Sequence, residues 1–209
     1  MRVLHIADIH WRGLSRHEEY ILAFNDLFKR ARALKPDIIY VGGDIVHSKT
    51  QGISPELIEN LTWWFTELAN IAPTHVILGN HDRMIMRKAQ TSLIPSKWIK
   101  SYKEVLEVPN WEFVDRLVVD GVQYIHGEAG TARTKCRADM MNTVQGHLHT
   151  QCYIEHYVGQ NFRVFGMQVG CGIDHDTYAM AYAKRGKKPS IACGVVLGGT
   201  TPINLLMPL

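Results

Sequence analysis

DIIYVGGDIVHS, residues 37–48, decides how the chain folds. Ile38-Ile39-Tyr40-Val41 is apolar on both faces, the pattern of a strand covered on two sides. The run stops at Gly42-Gly43, and a lone carboxylate, Asp44, and a histidine, His47, follow. Gly-Gly-Asp is an ordinary way to close a buried strand. It also suits backbone that must pass close to a bound ion, and on these residues alone both readings stand.

Two other runs share the design. RVLHIA (2–7) and THVILGN (74–80) are short, rich in Val and Ile, and end in polar residues. Between the three runs the pattern turns helical. Tyr20, Phe24, Leu27, Ala31 and Leu34 recur at steps of four and three, and Pro36 ends the stripe. Ser54-Pro55-Glu56 reads as an N-cap with proline in the first turn, and Leu57, Leu61, Trp64 and Leu68 form the next stripe. This βαβαβ order predicts parallel strands. The second half is spaced differently. WEFVD, LVVDG, VQYIHG, TVQGHLH, QCYIEHYVG, NFRVFGMQVG and IACGVVLGG follow at short intervals with glycine punctuation, which predicts strands joined mostly by hairpins. Weaker helical patterns cover 91–103, part of 131–141, and 174–184. A parallel half followed by a more antiparallel half predicts two packed sheets flanked by helices in a single domain, 1–209.

With 209 residues, 46% hydrophobic and 21% charged, the composition is that of a globular protein with one well-buried core. A net charge of +3 is too small to argue for nucleic acid by itself, and no apolar run is long enough to span a membrane. Cys136, Cys152, Cys171 and Cys193 are widely spaced without a C-x-x-C pair, so they read as free thiols of a reducing compartment. The first residues, MRVLHIA, read as a strand and not as a leader, and the expected location is cytoplasmic.

In α/β sheets, ligands collect beyond the carboxyl ends of strands. Here those ends carry Asp8-Ile9-His10, Gly43-Asp44, Gly79-Asn80-His81-Asp82, His126-Gly127 and Gly146-His147-Leu148-His149. In an extended segment, residues i and i+2 point the same way, so Asp8 with His10 and His147 with His149 can each offer two groups to one side. Imidazole with carboxylate suits manganese, iron or zinc better than calcium, and an asparagine carbonyl adds a ligand without charge. Each piece alone is also a plain turn; the five together, in order, are not.

D-x-H, G-D, G-N-H-D, H-G and G-H-x-H in this order resemble the calcineurin-like metallophosphoesterase superfamily, with motifs spanning residues 8–149. The resemblance implies an α/β fold, a four-layer αββα sandwich of two mixed β-sheets flanked by helices. It implies two divalent ions, Mn²⁺ foremost with Fe²⁺, Zn²⁺ or Ni²⁺ as alternatives. One would be held by Asp8, His10, Asp44 and His149, and the other by Asn80, His126, His147 and the shared Asp44. His81 would steady the transition state and help the leaving oxygen depart, and Asp82 would hold that imidazole in its working tautomer. Hydroxide formed between the ions would attack phosphorus in line.

Serine/threonine phosphatases of the superfamily carry G-D-x-V-D-R-G and G-N-H-E. This chain has Gly43-Asp44-Ile45-Val46-His47-Ser48, ends the third motif in Asp82, and places Trp11 where those enzymes have glycine. Leu4-His5-Ile6-Ala7-Asp8-Ile9-His10, then Glu18-Glu19-Tyr20 with Ala23-Phe24, then Gly43 to Ser48 is similar to the SbcD-type DNA repair exonucleases over about the first 85 residues. That resemblance implies a DNA or RNA nuclease in which His47 serves the substrate phosphates. That branch continues into a DNA-contacting cap, which is not expected within residues 1–209. A smaller or single-stranded substrate, or a partner (a protein or a second copy of the chain) that supplies the grip, is therefore expected over a long duplex footprint. Candidate phosphate contacts are Arg12, Arg16, Arg83, Arg87 and Lys88, with Trp11 as a base-stacking surface. The basic run 183–188 reads as an exposed helix end or a backbone contact. The alternatives are a phosphatase or phosphodiesterase of small nucleotides, and a non-catalytic scaffold.

Overall fold

The computed structural model describes residues 1–11, 17–47, 54–83, 111–114, 116–172 and 192–206. Strands β1 (Arg2–Ile6), β2 (Ile38–Val41) and β3 (Thr74–Val76) alternate with helices α1 (His17–Leu34) and α2 (Pro55–Ile71). Strands β4 (Trp111–Phe113), β5 (Leu117–Val119) and β6 (Val122–Ile125) follow, then helix α3 (Ala132–Asp139) and strand β7 (Asn142–Gln145). The rest is β8 (Cys152–Val158), β9 (Arg163–Val169), β10 (Ala192–Leu197) and β11 (Thr201–Leu206). The helical patterns at 91–103 and 174–184 lie outside the described residues.

Two mixed sheets result. One has the order β11-β10-β1-β2-β3-β4 and the other β5-β6-β7-β9-β8. The hairpin expectation for the second half holds at β5–β6, β8–β9 and β10–β11, which pair antiparallel. It fails at β4, which pairs parallel to β3, and at β6–β7 and β7–β9, which are also parallel. The second half therefore supplies both sheets.

Local chemistry sets the element ends. The Ser54 hydroxyl accepts the Leu57 N–H at 3.1 Å and caps α2, with Pro55 in the first turn. Helix α1 closes on Lys35, whose φ of +50° lets its N–H reach the Ala31 carbonyl at 3.1 Å before Pro36. Asp120 and Gly121, both at positive φ, form the two-residue turn of the β5–β6 hairpin.

Two apolar layers fill the interior. Phe24, Phe28, Leu61, Trp64 and Phe65 from α1 and α2 pack on Leu4, Ile6, Ile39 and Val41 of the first sheet. Val3, Tyr40, Val122, Tyr124, Val144, Phe165 and Met167 pack between the sheets. Each such buried side chain contributes roughly 1.5–3 kcal/mol. The outer face of the second sheet is polar instead: Gln123, Thr143, Gln145 and Gln168 are buried under α3. Gln123 Nε2 donates to Asp139 Oδ2 at 2.7 Å, so this helix docks through hydrogen bonds. All four cysteines are free, and burial pushes the Cys136 and Cys193 thiols up to about 11. No helix among the described residues is long and apolar enough to cross a membrane.

Candidate metal centre

The carboxyl ends of β1, β2 and β3 in one sheet, and of β6 and β7 in the other, meet at one place. The loops leaving β1 and β2 stay in register past the sheet: Asp8 N–H, His10 N–H and Trp11 N–H donate to the carbonyls of Gly43, Asp44 and Ile45 at 3.0, 3.0 and 2.7 Å. That pairing carries Asp8, His10 and Asp44 outward side by side. Glycines let the loops close. A Cβ on Gly79 would run into Asp44 Oδ1 and N, and one on Gly146 into Asp8 Oδ2.

Asp8, His10, Asp44 and His149 form one group of facing donor atoms, and Asp44, His126 and His147 a second, each within 4.8 Å. Asp44 belongs to both. Its Oδ2 lies 3.8 Å from His10 Nε2, 3.6 Å from His126 Nε2 and 4.0 Å from His81 Nε2. His10 Nε2 faces His149 Nε2 at 3.0 Å, and His149 Nε2 faces Asp8 Oδ1 at 3.2 Å. In the second group His126 Nε2 stands 3.1 Å from Asn80 Oδ1 and 3.2 Å from His147 Nδ1. Nitrogen ligands sit about 2.0–2.1 Å from a first-row divalent ion, so neighbouring ligands lie about 3.0 Å apart at a right angle and about 3.4 Å apart in a tetrahedron. The 3.0–3.2 Å separations match such edges, those from Asp44 Oδ2 are longer, and the donor set of imidazoles and carboxylates suits divalent cations.

The surroundings prepare these groups as ligands. Burial, and next the imidazoles of His149, His81, His47 and His126, hold His10 well below the ordinary histidine range, so it stays neutral. His126 Nδ1 donates to the Gly42 carbonyl at 2.7 Å, which leaves Nε2 as the free donor atom. The Tyr20 hydroxyl donates to the His10 carbonyl at 2.7 Å, and Cys171 Sγ to the Asp8 carbonyl at 3.3 Å. His147 N–H donates to Asp8 Oδ2 at 2.8 Å, and His81 N–H to Asp44 Oδ1 at 2.9 Å.

Not every expected role survives. Asp82 is buried, and its carboxylate accepts the N–H groups of Gly79, Ile45 and Val46 at 3.0, 3.1 and 3.4 Å, tying two loops together. His81 Nδ1 donates to the His47 carbonyl at 2.8 Å, a bond that favours the tautomer with the proton on Nδ1. The His47 ring, half-buried, stands 5.6 Å from the His10 ring and 6.0 Å from that of His81. Trp11 is no stacking surface for a base. It is fully buried between Tyr20 at 5.4 Å and Phe24 at 5.0 Å because its backbone bridges Val46 and turns the indole under α1. Arg83 pairs with Glu128 across two of the loops. Arg12, Arg16, Arg87, Lys88 and the run 183–188 lie outside the described residues.

Sequence reasoning missed Cys171, Gln168 and the Gly42 carbonyl as supports. Cys171 is 163 positions from Asp8, and no local pattern marks such a contact.

Over 104 residues, 48% of this chain, the sequence is 36% identical to the uncharacterized protein R555 of Acanthamoeba polyphaga mimivirus. The match spans only 8% of that protein's length. The crystal structure of Pseudomonas putida nuclease MPE superposes with a TM-score of 0.48 at 15% identity, covering 97% of this chain and 87% of that one. The model of the calcineurin-like phosphoesterase family matches residues 1–156, which carry all five strand-end motifs, and the chain belongs to that family.

Proposed function

We propose that the chain is a metal-dependent phosphodiesterase acting on nucleic acid, a nuclease of the SbcD-like kind, with Mn²⁺ as its working ion. The family uses a dinuclear metal centre, and the two donor groups that share Asp44 are its candidate site. In this reading Asp8, His10, Asp44 and His149 hold one ion, and Asp44, Asn80, His126 and His147 the other. When bound, the ions supply a water that ionises near neutral pH and a sink for charge on the phosphoryl oxygens.

The chain's own residues do the rest. His81 Nδ1 donates to the His47 carbonyl at 2.8 Å, so Nε2 is the ring atom left to exchange a proton, and the imidazolium form would pass that proton to the departing oxygen. This Nε2 lies 4.0 Å from Asp44 Oδ2, beside the donor groups, and His81 belongs to neither of them. His10 is held neutral and serves as a ligand, not as an acid.

The observation that carries the diester reading is His47. Its half-buried ring stands beside those of His10 and His81, and in this reading it serves the second ester substituent of the phosphate. A phosphodiesterase or phosphatase of small nucleotides is the second reading, favoured by the burial of Trp11, which removes a platform for extended strands. The test is to compare bis-p-nitrophenyl phosphate, p-nitrophenyl phosphate, and single- and double-stranded DNA in Mn²⁺, with His47→Ala alongside. Diester and DNA cleavage lost in His47→Ala, with monoester hydrolysis kept, is the expected result. Hydrolysis of the monoester alone by the unaltered protein would sink the nuclease reading, and no turnover in any metal would make the protein a scaffold.

A further inference from the structure

Gln168 lies near the end of β9, is fully buried, and belongs to none of the metal-ligand motifs. Its Oε1 accepts the Ala132 N–H, the first of α3, at 3.2 Å. Its Nε2 donates to the carbonyl of Gln145 at 3.3 Å and, more closely, to that of Gly146. One side-chain amide thus spends both hydrogens on consecutive carbonyls where β7 runs out, immediately before His147.

The Gly146 carbonyl has a second donor, the Leu148 N–H at 2.8 Å. That i to i+2 bond closes a γ-turn with His147 at its centre, where φ is +69°. The positive-φ form of this turn is the rare and strained one. On the other side, His147 N–H is held by Asp8 Oδ2 at 2.8 Å, and Gly146 has no room for a Cβ against Asp8 and Ala7. The turn is gripped from the β1 loop by Asp8 and from β9 by Gln168.

We propose that Gln168 is a positioning residue for the metal centre: it braces the strained turn that presents His147. This rests on the dinuclear reading above. Without the brace, the Gly146 carbonyl can rotate, His147 relaxes out of positive φ, and Nδ1 leaves the cluster. The effect falls on the ion that His147 would help to hold, more than on the one beside Asp8 and His10.

The test uses Gln168→Met, which keeps length and volume but removes every hydrogen bond, and Gln168→Glu. Glutamate keeps an acceptor for Ala132 N–H and has at most one proton for two carbonyls. Mn²⁺ binding is measured by calorimetry and by the paramagnetic resonance of free Mn²⁺, and thermal unfolding in EDTA. The expected result is a second Mn²⁺ bound at least tenfold more weakly in both variants, with the first little changed. Gln168→Glu lowers both melting temperature and Mn²⁺ affinity, because it sets a buried carboxyl group against two carbonyl oxygens. Two ions bound by Gln168→Met as tightly as by the unaltered protein would overturn the proposal. So would recovery of affinity together with stability in Gln168→Glu, which would make the residue only a staple for α3. If the unaltered protein binds fewer than two ions, the dinuclear reading fails, and the brace is then read without metal. Amide exchange at Leu148 in EDTA should quicken at least tenfold in Gln168→Met while Val144 holds, and unchanged exchange at Leu148 refutes the brace.

Discussion

Replacing His5 with phenylalanine keeps an aromatic ring between the sheets and removes a proton site. His5 is fully buried, stacked on Tyr40 at 5.1 Å and Tyr124 at 6.4 Å, and neither ring nitrogen has a hydrogen-bond partner among the described residues. Burial lowers its pKa from 6.5 to about 3, against a smaller upward pull from the Asp8 carboxylate and with a smaller push down from His126. The unfolded chain takes up this proton near pH 6.5, whereas the folded chain refuses it until about pH 3. Stability from this residue is therefore complete above pH 6.5 and is lost as pH falls through that window. Linkage puts the loss at about 2 kcal/mol between pH 7 and pH 5, growing to about 4 kcal/mol at pH 3. Urea unfolding in EDTA at pH 7 and pH 5 reads it directly, because about 2 kcal/mol moves a midpoint by roughly 1 M. The unaltered protein should lose that much more than His5→Phe between the two pH values, whatever the absolute stabilities. Parallel pH dependences would show that His5 finds a partner for its proton in the folded state, and the reasoning would fail.

Gly79→Ala should abolish binding of a second Mn²⁺ and reduce turnover at least a hundredfold, because the added methyl displaces Asp44; calorimetry of Mn²⁺ binding checks it. Tyr20→Phe removes the hydroxyl that donates to the His10 carbonyl, so denaturant unfolding should show a loss of about 1–2 kcal/mol, with weaker Mn²⁺ binding. Asp82→Asn replaces a carboxylate bound by three backbone N–H groups with one acceptor and an opposed NH₂, and should cost about 2–3 kcal/mol in urea unfolding. Full stability with lost activity in that variant would restore Asp82 as the partner of His81.

The strand-end motifs were legible because each lies within a few residues of its strand's end, and a glycine before Asp44, Asn80 and His147 marks where backbone crowds a site. The pleat expected to align Asp8 with His10 does not continue, since β1 ends at Ile6 and both residues have positive φ. What was not legible follows from the same physics. Asp82 sits next to His81 in sequence, but residues 80–83 are helical, and adjacent side chains on a helix diverge. Trp11 next to a motif reads as a loop aromatic until its bridge to Val46 shows the chain still in register and the indole under α1. Short strands spaced by glycines look alike whether they pair as hairpins or in parallel, so WEF (111–113) gave no sign that it would join β3. Gln168, an isolated amide in an apolar strand, carries no signal at all until β7 and α3 are placed around it.

Among the described residues, seven other than glycine have positive φ. Lys35, Asp120 and Met140 end a helix, turn a hairpin and cap a helix, where such backbone is ordinary. The other four are Asp8, His10, Asp44 and His147, all members of the donor groups. Left-handed backbone at a non-glycine residue costs on the order of 1 kcal/mol, and aspartate and histidine tolerate it better than most. Four such positions together are a sizeable fraction of a domain's ~5–15 kcal/mol margin. The strain persists because the ligands hold one another: Asp8 takes the His147 N–H, Asp44 the His81 N–H, and His10 donates to the Asp44 carbonyl. Such mutual bonding orders these groups without an ion, so an ion bound as proposed would meet groups already placed, and little of its binding free energy would go into arranging them. The corollary is that breaking one member should loosen the others: Tyr20→Phe and Gln168→Met, at opposite ends of the network, should combine to weaken Mn²⁺ binding by something other than the sum of the two.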